Sequence, residues 1–295
     1  MNTLQHDIVT LCRRNRDGSF ATQTARRKCL KLCAAQLKQL GRKVVHVQFL
    51  KPKHICALVQ LWQQGNPELG YKPLSTGTIK NRLSHLRWLA EKIGKQNIIP
   101  RTNQELGIGK RAYKTNCSRA ITLTPQITEK IHSPHVKLSL KLQAAFGLRR
   151  AEAMLLQPTL ADQGSQLFLK STWCKGGRER MIPIRTAEQR QLLDQAKHLS
   201  NGHSLIPPQQ SYRQHLYTWE YETQKAGISK THGLRHCYAQ TRYQELTGWK
   251  APAAGGPLHV ALSEQEQHKD QQARMQLTEE LGHGRLDITN VYLGR

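Results

Sequence analysis

At 295 residues the chain is long enough for one large or two medium domains with buried cores. No apolar run approaches the roughly 20 residues needed to cross a bilayer. The opening MNTLQHDIVTLCRRNRDG has neither the apolar core nor the cleavage site of a signal peptide, so a soluble, intracellular protein is expected. The formal net charge of +25, from 45 Lys+Arg against 20 Asp+Glu, would repel itself unless it met a polyanion.

The charge is uneven. Residues 1–120 hold 23 basic and 5 acidic side chains, and residues 121–295 hold 22 and 15. Nucleic acid is the expected partner. A membrane surface fits less well, because the basic residues are spread over several segments instead of one amphipathic helix. The 7 cysteines include no CxxC pair. Cys29 and Cys33 are four apart on an apolar helix face and read as reduced core thiols, so neither a disulfide framework nor a zinc site is expected.

In chain order, residues 2–16 read as a short helix ending near Asp17-Gly18. Residues 20–40 form a clearer one, with Cys29, Leu30, Leu32, Cys33, Leu37 and Leu40 on its apolar side and Gly41 as its stop. Val44–Phe49 reads as extended. A third helix is expected near 52–64, closed by Gly65-Asn66-Pro67. A fourth runs from about Thr76 to Ile93, capped by Ser75. On this fourth helix Lys80, Arg82 and Arg87 are candidate phosphate contacts, set against the plainer reading of a solvated face.

Residues 94–120 lack periodicity and carry Gly, Pro and Asn. The expected boundaries are a helical DNA-binding domain over 1–100, a basic linker over 101–120 with Arg111 and Lys114 as further DNA contacts, and a second domain over 121–295. That domain opens at Thr124-Pro125, a cap followed by a first-turn proline. Helices are predicted over 136–147, through Leu156, and around 187–199 and 210–225. Residues 166–171 and 179–184 read as two strands of a hairpin turning at Gly176-Gly177, with Lys175 at its exposed tip. Thr231-His232-Gly233-Leu234-Arg235-His236 then gathers two imidazoles and a guanidinium. On a helix, His232 and Arg235 share a face, and His236 lies near it. A rigid bidentate donor beside an imidazole suits a phosphate oxyanion. A metal pair at His232 and His236 is disfavoured, since no Glu follows His232 and Arg235 would repel a cation. No metal or cofactor is expected.

Four motifs occur in order: Gly147-Leu148-Arg149-Arg150-Ala151-Glu152, the Lys175 hairpin KGGRERMIPI, His232-Gly233-Leu234-Arg235-His236, and Leu281-Gly282-His283 with Tyr292 nine residues on. Each alone is weak, and the ordered set is specific. It resembles the tyrosine recombinase (phage integrase) family over residues 124–295, while the basic front end is similar to that family's core-binding domain in layout only. The resemblance implies a mainly α, two-domain fold: a SAM-like helical bundle and an α-rich catalytic domain with a small antiparallel sheet. It implies Arg149, Lys175, His232, Arg235 and His283 as activating residues and Tyr292 as nucleophile.

The chemistry agrees with those residue types. Rejoining DNA without ATP requires storing the phosphodiester energy, which a tyrosine ester to a 3′ phosphate does. A phenol titrating near pH ~10 needs a base and an electrophilic phosphorus. Two arginines can offset charge on the non-bridging oxygens, His283 can add a donor, His232 can take the phenol proton, and Lys175 can protonate the departing 5′ oxygen. Plainer readings exist for single residues. Arg149 could pair structurally with Glu152, Lys175 could be an ordinary turn lysine, and His236 reads as structural.

The resemblance further implies site-specific integration or excision of a mobile element by a homo-tetramer on paired double-stranded DNA sites. It leaves room for an accessory DNA-bending or directionality factor and implies a bacterial, nucleoid-associated, cytoplasmic setting. The alternatives are a Xer-like dimer resolvase of the same chemistry, a type IB topoisomerase-like relaxing enzyme, and a non-catalytic DNA-binding accessory protein. Two departures stand out. Arg235 and His283 are 48 residues apart, so 248–276 reads as an insertion, either a surface loop or a subunit or DNA contact. Only three residues follow Tyr292, so the insertion is a candidate substitute for the C-terminal docking helix of many relatives.

Overall fold

Apolar residues recurring every three to four positions fold the front of the chain into four helices: α1 (Thr3–Arg14), α2 (Phe20–Gln39), α3 (Pro52–Gln64) and α4 (Thr76–Lys92). The computed structural model describes residues 3–110 and 116–295, and the chain divides into two compact units, Met1–Ala112 and Tyr113–Arg295. The first unit buries Leu4 and Ile8 of α1, Leu30, Cys33 and Leu37 of α2, Ile55, Leu58 and Trp62 of α3, and Ile79, Leu83 and Leu86 of α4 in one cluster. Ser19 and Ser75 cap α2 and α4 by accepting the backbone N–H of Thr22 and Thr78. The buried indole of Trp62 donates to Gln36 Oε1 at 2.9 Å.

Two expectations change here. The stretch read as extended closes in a 3-10 turn, Val47–Phe49, whose first N–H donates to the Asp7 carboxylate. The stretch read as linker from residue 101 begins as part of the first unit. A 3-10 turn over Gln104–Leu106 places Ile108, with Ile98 and Ile99, in that unit's core.

The second unit holds α5 (Pro125–Glu129), α6 (Pro134–Phe146), α7 (Arg150–Leu155), α8 (Pro158–Ala161), β1 (Gln166–Leu169), β2 (Arg180–Pro183), α9 (Ala187–Ser200), α10 (Tyr212–Lys225), α11 (His232–Thr247), α12 (Glu264–Glu280) and α13 (Leu286–Leu293). The strands pair antiparallel, Gln166 opposite Pro183 and Leu169 opposite Arg180. They are two residues shorter than the sequence suggested, and the connection carries a 3-10 turn at Ser171–Trp173 before Gly176 and Gly177, both at positive φ. The main core joins α6, the sheet, α9, α11, α12 and α13.

The segment 248–276 is built into this core. Ala251 and Ala273 belong to the main cluster, and Asp270 and Arg274 are buried on α12. The surface-loop reading is therefore corrected: the extra length supplies a helix that packs on α11 and α13. No helix among the described residues is long and apolar enough to cross a membrane.

Candidate active site

The first three turns of α11 create a stripe at four-residue spacing: His232, His236 and Gln240. All three meet Tyr292 of α13. His232 Nε2 is 3.0 Å from Tyr292 Oη, the His236 ring centroid is 4.4 Å from the tyrosine ring, and Gln240 Nε2 donates to the Tyr292 carbonyl at 3.0 Å. Leu234, between them, points into a separate apolar cluster and anchors the turn. Tyr292 is 6% exposed. Its ring also stacks on His283 with centroids 5.1 Å apart.

Arg235 is fully buried. Its guanidinium donates to the carbonyls of Gly147 and Leu281, to Tyr292 Oη from Nε at 3.4 Å, and to His283 Nε2 from Nη2 at 3.1 Å. Four of the five N–H groups a guanidinium carries thus have acceptors, and the remaining Nη1 N–H faces Glu152 only at 4.0 Å. Gly147 permits this. It takes a left-handed φ of +62°, and a Cβ there would overlap the Tyr238 ring.

These contacts assign proton positions. A guanidinium only donates, so His283 Nε2 is an acceptor and its Nδ1–H donates to Thr289 Oγ1 at 3.0 Å. Thr289 in turn is 2.7 Å from Thr278 Oγ1, whose hydroxyl donates to the Arg274 carbonyl. Likewise Tyr292 Oη accepts from Arg235 Nε and is left to donate its proton to His232 Nε2. That requires a neutral His232, and its pKa is pushed down to about 4 by desolvation, then by Arg235 and Arg149, with a smaller push from Lys175. His232 is an exposed residue, and solvent screens these effects. His236 falls to about 4 through burial and His232, and His283 to about 3 through burial and the cations Arg235, Arg149 and Arg180.

Behind this layer, one carboxylate serves three arginines. Glu152 accepts from Arg149 Nη1 at 2.6 Å and from Arg180 Nη2 at 2.7 Å, with Arg235 beyond. Its other service is to cap α7 by accepting the Arg149 backbone N–H at 2.7 Å. Burial raises its pKa, but the hydrogen bond and charge of Arg180, then Arg149 and Arg235, outweigh that and hold it at about 2. The structural pairing of Arg149 with Glu152 and its place in the cluster are both present. The excess of buried positive charge over one carboxylate is a site arranged for an anion.

Among the residues picked from sequence, Arg149, His232, Arg235, His283 and Tyr292 are brought together. Lys175 is exposed on the strand connection and makes no hydrogen bond or ion pair among the described residues. Arg111 and Lys114 lie outside the described residues. On α4, Lys80 is half-exposed and has no such partner, whereas two neighbours are engaged. Arg82 lies over the Trp62 ring at 5.2 Å. Arg87 Nη2 donates to the Pro100 carbonyl and to Asn103 Oδ1, both at 3.0 Å. Arg87 thus acts as a strut that fastens residues 100–103 to α4.

The sequence reading missed Arg180, Thr289, Gln240 and the clamp on α13. Arg180 had a signal: strand alternation puts it on the inward face with Ile182. Gln240 shares the α11 stripe, and Thr289 lies three before Tyr292. In the clamp, Asp270 accepts from Arg274 Nε at 2.7 Å, and Arg274 Nη1 donates to Asn290 Oδ1 and the Gly294 carbonyl at 2.7 and 2.9 Å. The two bonds grip α13 two residues either side of Tyr292. No metal-holding group of three or more His, Cys, Asp or Glu occurs among the described residues.

The family profile for the phage integrase N-terminal domain matches residues 1–99, and the integrase profile matches residues 119–241. No curated protein matches the chain in sequence. Among solved structures, a lambda integrase dimer bound to a COC′ core site superposes with a TM-score of 0.61 at 16% identity, covering 99% of this chain and 78% of that one. XerH recombinase bound to palindromic difH substrate gives 0.59 at 16%, covering 99% and 81%. The Tn1549 transposon integrase with circular intermediate DNA gives 0.56 at 14%, covering 100% and 96%. At such identities the likeness is one of fold. The two profiles together span most of the chain, and the protein belongs to the phage integrase family of tyrosine recombinases. It is thus a site-specific recombinase by class.

Proposed function

We propose that this protein cuts and rejoins double-stranded DNA at specific sites through a covalent 3′-phosphotyrosine at Tyr292, as the integrase of a mobile element. One observation carries the reading: the Tyr292 hydroxyl lies against a neutral imidazole acceptor, 3.0 Å from His232 Nε2, and beside the buried guanidinium of Arg235. In the cleavage step the Tyr292 oxygen bonds to phosphorus and its proton passes to His232. The bond from phosphorus to the 5′ oxygen breaks, and Lys175 gives that oxygen a proton. Arg149, Arg235 and His283 offset the charge that grows on the non-bridging oxygens. Attack by a 5′ hydroxyl from another strand reverses each transfer. Neither ATP nor a metal takes part.

The neighbouring complexes, which include a lambda integrase dimer on its core site and a tetramer on a Holliday junction, support DNA as substrate and a homo-oligomer, which we read as a tetramer on paired sites. The transposon integrase among them favours a mobile element over dimer resolution, though XerH keeps the resolvase as the alternative. An accessory bending factor and a nucleoid location belong to the same proposal.

The test is incubation with nicked suicide DNA carrying the element's ends, followed by a denaturing gel. Wild type should form a covalent band and Tyr292→Phe none. A band that survives in Tyr292→Phe, or no band on the element's own junction, overturns the mechanism.

A further inference from the structure

A cavity of about 740 Å³ opens beside His232 and His236. That volume lies in the range of small-molecule sites. Its lining includes Gln143 of α6, whose side-chain nitrogen and oxygen are both buried and have no hydrogen-bond partner. A fully buried amide with neither atom paired is rare in a native fold and marks a place for an absent group. The lining also includes Arg119 and Lys230, both exposed. Thr231, the residue at the start of α11, provides no side-chain cap; the Gly233 and Leu234 N–H groups donate to the Lys230 and Thr231 carbonyls, and the dipole of this 16-residue helix still favours an anion at its start.

The two halves of the cavity thus ask for different chemistry. The rim, with the cations Arg119, Arg150 and Lys230 and a helix N-terminus, suits a phosphate. The floor has an amide able to give and accept one hydrogen bond each, beside the His236 imidazole, and suits the edge of a nucleobase. We infer that this cavity binds one unstacked nucleotide of the cleaved strand, its phosphate at the start of α11 with Lys230 and Arg119 and its base paired to the Gln143 amide. The inference rests on the strand-transfer reading above. Strand exchange must part bases from their old partners next to the cut before new pairs form, and His232, which contacts Tyr292, lines this same cavity. A pocket here would hold the first freed base and keep the broken end from re-pairing.

The test uses the full chain and a fluorescent nucleotide, 2-aminopurine deoxyriboside monophosphate, competed by deoxyribose 5-phosphate and by inorganic phosphate. Saturable binding is expected, weakened on the order of tenfold in Gln143→Leu through the lost amide bonds, and weakened also in Lys230→Ala. Deoxyribose 5-phosphate should compete at least tenfold less well than the nucleotide. Absence of saturable binding at millimolar nucleotide, equal binding by Gln143→Leu, or competition by deoxyribose 5-phosphate as strong as that by unlabelled nucleotide overturns the base pocket. Thermal unfolding of Gln143→Leu is measured on the same preparation. If that variant is unfolded, Gln143→Met is read in its place. The suicide-DNA assay on wild type separates the two proposals, because a covalent band without nucleotide binding refutes only the pocket, and nucleotide binding without a band refutes only the strand transfer.

Discussion

In the first unit Arg26 lies 4.0 Å above the Trp88 ring, Arg82 lies over Trp62, and Arg87 holds a carbonyl and an asparagine. None of these three has a carboxylate partner among the described residues. In the second unit Arg149, Arg180 and Arg235 converge on Glu152 within one buried cluster. The same side chain covers aromatic surface in one place and builds electrostatic potential in the other. What decides between the two uses is company. A guanidinium on an indole face gains a cation–π contact by itself, whereas three around one carboxylate concentrate a net charge at one place that an anion can relieve.

The largest test of that contrast is Glu152→Gln. It leaves three buried or half-buried guanidiniums without their counter-charge and should destabilise the second unit by about 3–5 kcal/mol. Arg82→Met in the first unit should cost only about 1 kcal/mol. Amide hydrogen exchange on the full chain reads the two units separately. Equal losses would mean that the Glu152 cluster is no more than another set of surface pairs.

Next in size is the effect on chemistry. Arg149→Lys keeps a charge but loses the planar fork, and covalent-adduct formation should slow roughly 10²-fold. Arg82→Lys should leave that rate within about twofold. A rate unchanged in Arg149→Lys would remove this residue from the proposed mechanism.

Acid should distinguish the units more mildly. The folded-state pKa values of His232 and His236 are near 4 and that of His283 near 3, below the ordinary value near ~6.5. The unfolded chain therefore binds these protons first. Stability of the second unit should fall as pH drops from about 6.5 toward about 4. Glu152, held at about 2, adds a further loss below about 4.5. The first unit, where burial lowers His54 and His85 less, should lose less in the upper window. An opening free energy, taken from exchange after removing the intrinsic pH dependence of amide exchange, that stays constant across that window would contradict the neutral assignment of His232.

The smallest effect concerns the basic front end. Lys80→Ala should reduce the slope of log affinity for duplex DNA against log salt by about 0.9, the share of one phosphate contact. Arg87→Ala should leave that slope unchanged while loosening residues 100–103. The opposite pattern would make Arg87, and not Lys80, the phosphate contact.

Much of this was legible before any coordinates. Helix-period apolar residues gave α2, α3 and α4 nearly to the residue, and Ser75 was read as a cap because its hydroxyl precedes the first periodic position. Arg149, His232, Arg235, His283 and Tyr292 were readable through the order of their motifs. Ile108 was hidden, because one apolar residue in a glycine-rich stretch has no periodicity and only a neighbouring core explains it. Arg180 was passed over because buried arginines are rare enough that alternation alone argues weakly.

The sequence by itself determined most of the elements, the uneven charge and the candidates for the reacting groups, since these depend on residue types and local spacing. Only the tertiary structure decided which arginines face an anion and which lie on tryptophan, how Glu152 is shared, and that Arg274 of the extra segment holds the tyrosine's helix. Those outcomes depend on distances between residues far apart in the chain, and a guanidinium's meaning is set by what stands within a few ångströms of it.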